Sequence, residues 1–141
     1  MDSGMKLDDR LQADCALICE LADSTLLLMN NALVDWFILV PHCAEIELTN
    51  LPFAQQTAIL KEINLVARFI QQNFSPDKLN IAALGNVVSQ LHIHVIGRKH
   101  NDPYWPAPVW GQAASQAYTA LEITAVQDAF NEFYQSQTSQ S

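Results

Sequence analysis

Four short apolar segments, placed in two pairs around one long amphipathic segment, constrain the fold of this chain more than any other feature. "STLLLM" (24–29) and "WFILVP" (36–41) make up the first pair, and "LNIAAL" (79–84) and "VVSQLHIHVIGR" (87–98) the second. Short apolar runs of this kind are typical of strands. The members of each pair are joined by turn-forming residues, "NNALVD" in the first and "GN" in the second. The pattern predicts two β-hairpins.

The segment between the pairs predicts one long helix from Asn50 to Asn73. Asn50 is a suitable N-cap, and Pro52 falls in the first turn, where a missing backbone N–H costs nothing. Apolar residues recur at helical spacing and predict one buried face. Its members are Ile59, Ile63, Val66 and Ile70.

The two ends of the chain predict further helices. Residues 7–22 combine an apolar stripe with an acidic first turn, which predicts a first helix. Residues 116–134 are predicted to form a third helix. Three prolines make 99–111 an irregular arm, and the polar stretch 135–141 is expected to fray.

Hairpins with separate helices indicate the α+β class, with an antiparallel sheet and helices packed on one side. A length of 141 residues fits a single domain.

The acidic composition bears on the binding partners. A net charge of −8 opposes sequence-independent binding to a nucleic-acid backbone, so we expect no nucleic-acid partner. A small anionic substrate is compatible with this charge, because one pocket can differ in sign from the whole surface. Candidates for a local positive lining are Arg98, Lys99, His42 and His100.

Several features indicate a cytoplasmic protein without a membrane partner. The beginning "MDSGMKLDDRL" has no apolar signal region, and no window reaches the roughly 18 apolar residues of a spanning helix. Cys15, Cys19 and Cys43 are odd in number and lie in apolar surroundings. Such cysteines are typical of reduced thiols in a cytoplasm.

The stretch "QLHIHV" places two histidines one residue apart. In a strand, alternate side chains point to opposite faces, so the stretch has an apolar face and a polar face. The apolar face contains Leu91, Ile93 and Val95, and the polar face contains Gln90, His92 and His94. A polar row of this kind can be a solvated sheet face, a catalytic surface or part of a zinc site completed by Cys15 and Cys19.

The segment "GNVVSQLHIHVI" (85–96) resembles the signature of the histidine triad (HIT) superfamily, in which three histidines alternate with apolar residues after an upstream glycine. The resemblance covers roughly residues 20–110. It has three departures: Gln90 occupies the first histidine position, Asn86 replaces a usual glutamine, and Trp36 stands where many members have a histidine. Some members bind structural zinc. Because Trp36 has no ligand nitrogen and the cysteine spacing differs, we expect no metal site here.

The resemblance implies a mechanism for the histidine pair. His92 corresponds to the nucleophile, which attacks the α-phosphorus of a nucleotide and forms a nucleotidyl-histidine that water then hydrolyses. A neutral imidazole can do this if its other nitrogen donates to a carbonyl and fixes the tautomer. His94 would bind the phosphate or help protonate the leaving group. Gln90 would orient the other two but cannot shuttle protons.

The resemblance also assigns substrate-binding residues. Asn80, Asn86, Asn30 and Arg98 are the candidates, with Asn30 expected at the ribose hydroxyls and Arg98 at phosphate. A turn asparagine and a surface ion pair are the alternatives for Asn30 and Arg98. Outside these four, His42 could face the phosphates or be a solvated loop histidine. The arm residues Trp105 and Trp110 could cap the pocket or pack on an apolar surface.

The function implied is that of a nucleotide hydrolase or transferase acting at the α-phosphate of nucleoside phosphoramidates or dinucleoside polyphosphates. The expected partners are a purine nucleotide-type small molecule and a second copy of the chain, in a homodimer. No cofactor is required, although a divalent metal could accompany a polyphosphate substrate. Since Gln90 replaces a histidine, a nucleotide-binding module with little turnover is the alternative. A zinc-binding protein that uses both histidines and the cysteines is the third hypothesis.

Overall fold

The computed structural model describes residues 6–138, and both predicted hairpins and the long helix are present. Among these residues, none of the helices combines the length and apolarity needed to cross a bilayer. The elements in chain order are α1 (Asp9–Asp14), β1 (Cys15–Glu20), β2 (Ser24–Met29), β3 (Asp35–Pro41), a 3-10 turn (Leu48–Asn50), α2 (Phe53–Phe74), β4 (Lys78–Ala83), β5 (Ile93–Arg98) and α3 (Ala120–Thr138).

The five strands form one antiparallel sheet in the order β1-β2-β3-β5-β4. Strand β5 lies between β3 and β4, so the second hairpin adds to the first through β5. This arrangement confirms the predicted α+β class. It also makes β5 an inner strand, whose register is fixed by β3 on one side and β4 on the other.

The two faces of the sheet are covered by different parts of the chain. The long helices α2 and α3 pack on one face, where Leu91, Ile93 and Val95 join the main hydrophobic core as predicted. Short α1 and the proline-rich arm contribute to a second core on the opposite face. That second core contains Leu11, Leu27, Val34, Trp36, Ile38, Val40, Ile96, Tyr104 and Val109. The sheet face away from the long helices is therefore only partly covered, which leaves room for a cleft.

The predicted first helix over 7–22 was wrong for most of its length. Helix α1 ends at Asp14, and Cys15–Glu20 is an edge strand paired with β2. The pairing satisfies backbone groups along the outer edge of β2, which a helix at this position would leave unpaired. A short apolar run cannot be assigned to helix or strand by periodicity alone.

The predicted strand over 87–98 and the start of the long helix also needed correction. Strand β4 ends at Ala83, whose partner is Ile93, so the preceding residues of the second segment have no strand to pair with. They form a loop, and regular β-structure begins only at Ile93. Asn50 is not the N-cap of α2, because it lies in the 3-10 turn and Pro52 caps the helix.

The C-terminal part of the chain follows the prediction in outline. The arm at 99–111 consists of turns and irregular backbone, as its prolines require. Helix α3 begins at Ala120, later than the predicted residue 116, and continues to Thr138. The expected frayed tail is therefore helical over 135–138, and its residues 139–141 lie outside the described residues.

Gly97 permits the close approach of α2 to β5, and we expect its replacement by alanine to destabilise the protein. A β-carbon at this position would lie 2.7 Å from Cγ2 of Ile70 and 3.3 Å from Cβ of Pro76. Overpacking of this kind costs about 1–3 kcal/mol. Urea unfolding of Gly97→Ala measures the loss. The double variant Gly97→Ala/Ile70→Ala should lose less than the sum of the two single losses, and additive losses would contradict a steric origin.

Candidate active site

A cleft on the sheet face away from α2 brings the two histidines together. It has a volume of about 320 Å³, within the range of small-molecule sites. The rings of His92 and His94 lie on the same side of the sheet with centroids 4.9 Å apart, as alternation along the segment predicts. The walls are mostly apolar and come from α1, the first hairpin, the 84–88 loop and the arm. They include Leu11, Met29, Trp36, Ile38, Leu84, Val87, Val88 and Trp110.

His92 stands at the entrance to β5 with one ring nitrogen engaged. Its Nδ1 lies 2.7 Å from the carbonyl oxygen of Gln90. A carbonyl only accepts hydrogen bonds, so Nδ1 carries the proton and donates. In the neutral ring, Nε2 then holds the lone pair. His92 lines the cleft, and the residue is only 6% exposed. A neutral imidazole with a fixed tautomer is the form that can attack an electrophile.

His94 has the opposite arrangement of ring protons. The indole Nε1–H of Trp36 donates to Nδ1 of His94 at 3.0 Å. Since Nδ1 accepts, the proton of the neutral ring is on Nε2. Burial, and to a smaller extent the neighbouring His92, lowers the pKa of His94 to about 4. His94 is therefore a neutral hydrogen-bond donor at physiological pH, and its protonated nitrogen, Nε2, is the one that carries the lone pair in the neutral ring of His92.

Two tryptophans surround the His94 ring. Trp110 contacts it edge-on with ring centroids 5.1 Å apart and also packs against Trp36. Trp110 thus takes the position at the cleft that the sequence suggested for an arm aromatic. Trp105 does not line the cleft. It packs against His100 and lies 5.6 Å from the guanidinium carbon of Arg98.

Gln90 contributes to the site through its backbone. Its side chain accepts a hydrogen bond from the N–H of Asp8 at 2.7 Å and donates to the carbonyl of Lys6 at 3.2 Å. The amide group therefore ties the segment before α1 to the loop before β5. The carbonyl of the same residue accepts from His92 and fixes its tautomer. The side chain of Gln90 thus contacts the segment before α1, and its orienting role toward the histidines stays a prediction.

The structure places Arg98 outside the cleft, in a buried ion pair. Its guanidinium donates to both carboxylate oxygens of Asp102, at 2.8 and 3.1 Å, and to Oδ1 of Asn80 at 3.0 Å. Arg98 is only 1% exposed. Both Arg98 and Asn80 therefore bind protein partners. Neither lines the histidine cleft, where the sequence placed them as substrate-binding residues.

The other two predicted substrate-binding residues differ from each other in position. Asn86 lines the cleft beside the histidines, in the loop that follows Gly85. Gly85 has φ +116°, which only glycine adopts readily, so this turn depends on it. The side chain of Asn30 accepts a hydrogen bond from the N–H of Tyr118 at 2.8 Å and does not line the cleft.

The remaining candidates for a positive lining lie elsewhere. The ring of His42 contacts Thr25 and Glu20, at 3.1 and 3.3 Å. His100 is near Asp77, and Lys99 lies along a separate depression beside the arm. None of the three lines the histidine cleft.

Sequence reasoning missed two charged residues of the cleft, Arg10 and Asp14, which both belong to α1. Among the residues described, Arg10 is the basic side chain that lines the cleft with the histidines. The tertiary position of α1, on the histidine side of the sheet, brings them there. The sequence carried no local signal for this position.

The cysteines do not complete a metal site with the histidines. Cys15 and Cys19 lie on β1 and Cys43 follows β3, and all three are free thiols. Burial, with a smaller contribution from Asp14, raises the pKa of Cys15 to about 12, so this thiol is not a ready metal ligand. Within residues 6–138, no group of three or more histidine, cysteine or acidic side chains could hold a metal ion.

Comparison with solved structures identifies close relatives of this fold. Histidine triad proteins from Sinorhizobium meliloti and Bradyrhizobium japonicum share 37% and 38% sequence identity with the chain, at TM-scores of 0.89 and 0.86. The alignments cover 94% and 90% of this chain and 98% and 96% of the relatives. A histidine triad protein from Marinobacter aquaeolei is 38% identical, with a TM-score of 0.86, over 91% of this chain and 94% of its own.

The sequence itself matches a family model over most of the cleft-forming region. The model of the HIT domain matches residues 10–101. No curated protein is significantly similar to this chain in sequence. The match to the family model and the three relatives above 30% identity agree with the histidine pair and its sheet. The chain belongs to the HIT family, which includes nucleotide hydrolases and transferases.

Proposed function

We propose that the protein is a nucleotide hydrolase or transferase that acts at the α-phosphate through a covalent nucleotidyl-His92 intermediate. One observation carries this proposal: the His92 ring lines the cleft with Nδ1 tied to the Gln90 carbonyl, which leaves Nε2 as the nucleophilic nitrogen. The proposed substrates are nucleoside phosphoramidates or dinucleoside polyphosphates.

The reaction takes two steps. In the first, Nε2 of His92 forms a bond to the α-phosphorus, and the bond from phosphorus to the leaving group breaks. His94 supports this step because its Nε2–H can donate to a phosphate oxygen or to the leaving atom. In the second, a water oxygen bonds to phosphorus and the bond to His92 breaks. Water supplies a hydroxyl to phosphorus, and its second proton balances the one taken up by the leaving group, so the products are the protonated leaving group and a nucleoside monophosphate, with His92 returned to its neutral form. We propose that neither step requires a cofactor and that a divalent cation can accompany a polyphosphate substrate.

The size and lining of the cleft support a nucleotide ligand. A mostly apolar wall and a volume of about 320 Å³ suit a planar base with its ribose. The α-phosphate would lie at the histidine pair. A purine nucleotide is the ligand we propose. The homodimer and the cytoplasmic location expected from the sequence stay predictions.

Arg10 should strengthen substrate binding, because it is the basic residue of the described cleft lining. We expect Arg10→Ala to raise KM about 5-fold with a smaller change in kcat, since an ion pair of an exposed arginine contributes up to about 1 kcal/mol. Steady-state kinetics measure both constants. The control is Arg68→Ala, which removes an exposed arginine on α2 away from the cleft. Equal effects of the two substitutions would contradict a local role for Arg10.

The covalent intermediate gives the direct test of the proposed function. The wild-type protein is mixed with adenosine and guanosine phosphoramidates, diadenosine polyphosphates or nucleotide sugars, quenched within milliseconds and examined by intact mass spectrometry. We expect the added mass of a nucleoside monophosphate and its loss in acid, together with turnover of at least one substrate class. Tight binding of AMP with no adduct and no turnover would replace the proposal with a binding module. Stoichiometric zinc in the purified protein would favour the metal-binding hypothesis instead.

A further inference from the structure

We propose that Trp36 is a positioning residue, whose indole N–H fixes the tautomer of His94 and keeps this ring a neutral donor toward the substrate phosphate. The inference rests on the proposed function for its catalytic meaning. The claim about the tautomer concerns the protein alone and can be tested without a substrate.

The geometry of the pair carries the inference. Trp36 pairs with Ile96 across β3 and β5, and its side chain reaches the ring of His94, the preceding residue on the same face of β5. The indole nitrogen lies 3.0 Å from Nδ1, and the two rings are tilted by 52°. Both side chains are buried, with exposures of 7% and 4%, so water has little access to the contact.

The chemistry of indole makes this contact one-directional. Indole Nε1–H is a donor and has no lone pair to accept a hydrogen bond. A proton on Nδ1 of His94 would therefore face the indole hydrogen with no acceptor between them. Both the Nδ1–H tautomer and the imidazolium cation require that proton. The Trp36 contact disfavours both forms and selects the neutral ring with Nε2–H.

The other charged and titratable groups around the cleft do not supply an alternative partner. They are His92 beside the ring, and Arg10 and Asp14 on α1. His92 and Arg10 oppose a positive charge on His94, and Asp14 would favour it. Among residues 6–138, however, the hydrogen bond to His94 comes from Trp36 and no carboxylate bonds to the ring. Burial lowers the pKa of His94 to about 4, in the same direction as the indole contact.

The reaction gains a donor that does not titrate in the working range. A free imidazole changes charge near pH 6.5, whereas His94 should present the same N–H from about pH 5 to 8. A fixed donor aimed at developing negative charge lowers the barrier without reorganisation during the reaction. Because nothing has to be rearranged, the effect should appear in kcat more than in KM.

The test is nitrogen-15 NMR of the full-length protein labelled at histidine, in which shifts report protonation of each ring nitrogen. In the wild type, we expect Nδ1 of His94 to be unprotonated and Nε2 protonated between about pH 5 and 8. Trp36→Phe should protonate Nδ1 in part and raise the midpoint of the His94 titration. A benzothiophene analogue of tryptophan at position 36 should do the same, since it keeps the two-ring shape and has sulfur in place of N–H.

Trp110→Phe is the matched control for the NMR experiment. The ring centroids of Trp110 and His94 are 5.1 Å apart. Replacement of Trp110 therefore alters packing around His94 but leaves the Trp36 hydrogen bond in place. Nδ1 of His94 should stay unprotonated in this variant. If the wild-type ring carried its proton on Nδ1, or if both changes at position 36 left the His94 signals unaltered, the inference would be overturned.

Kinetics separate the tautomer from its catalytic use. We expect the benzothiophene variant to lose about 10- to 100-fold in kcat at pH 8 with KM nearly unchanged, and the loss should lessen as pH falls toward 5, because the imidazolium again carries a proton on Nε2. A shifted tautomer with full kcat would refute a role in positioning. If the wild type turned over none of the substrates, the proposed function would fail, and the NMR result would still decide the tautomer.

Discussion

His92→Ala should abolish the covalent adduct and lower kcat/KM by at least about 10³-fold on every substrate that the wild-type protein turns over. The substitution removes the ring whose Nε2 we propose as the nucleophile. The ring belongs to the residue just before β5, which has no strand partner, so its loss should leave the sheet register unaffected. Rapid-quench mass spectrometry and steady-state kinetics measure the two effects on the same preparation.

His100→Ala is the control for the loss of an imidazole. The side chain of His100 is 69% exposed and lies outside the cleft, so its removal should leave the adduct and turnover intact. Calorimetry with AMP adds a second comparison. His92→Ala should retain binding within several-fold, because the walls and Arg10 remain. Full activity of His92→Ala would exclude the covalent route, and loss of both binding and folding would point to a structural role.

Arg98→Met should destabilise the fold by about 3–5 kcal/mol, the usual cost of leaving one partner of a buried ion pair uncompensated. The substitution leaves the Asp102 carboxylate buried without its guanidinium. Asp102 also accepts hydrogen bonds from the backbone N–H groups of Lys99, Tyr104 and Trp105, so its displacement should loosen the start of the arm. Urea unfolding followed by circular dichroism measures the loss.

Arg68→Met is the matched control, because this arginine is exposed on α2 and takes part in no ion pair within residues 6–138. It should change stability by less than about 0.5 kcal/mol. Arg98→Lys keeps the charge but cannot form the two-pronged contact, so its loss should be intermediate. A folded Arg98→Met protein with wild-type stability and a raised KM would instead support the phosphate contact that the sequence suggested.

The pH dependence of stability provides an independent view of the same ion pair. Burial raises the pKa of Asp102, but the hydrogen bonds from Arg98 and from backbone N–H groups outweigh this effect and hold it below its ordinary value. A carboxyl with a lowered folded-state pKa stabilises the protein above its unfolded pKa. This contribution is lost as pH falls through the folded pKa. The free energy of unfolding of Arg98→Met should therefore depend less on pH below about 4 than that of the wild type does.

The parts of the fold that the sequence predicted are those set by local periodicity. Helix α2 and strands β2 to β4 follow from apolar runs with distinct lengths and spacing, and the shared face of His92 and His94 follows from alternation. The Cys15–Glu20 strand could not be predicted in this way, because its state depends on pairing with β2 across the sheet. Tertiary contact overrides local preference in such edge segments.

The parts of the site that could not be predicted depend on long-range contacts between side chains. Arg98 meets Asp102 and Asn80 only once the arm folds back and β4 pairs with β5. Trp36 reaches His94 only because β3 is the other neighbour of β5. A residue type shows what a side chain can do, whereas its partner decides which of those abilities is used.

The unequal anchoring of the two histidines has a mechanical consequence. Ile93 is the first residue of β5 with a partner on each side, Leu39 on β3 and Ala83 on β4. His94 follows it inside the sheet, whereas His92 precedes it in the loop. Pairing with Ile38 on β3 and Ala82 on β4 therefore fixes the backbone of the proposed donor, His94, whereas no strand pairs with the backbone of the proposed nucleophile, His92.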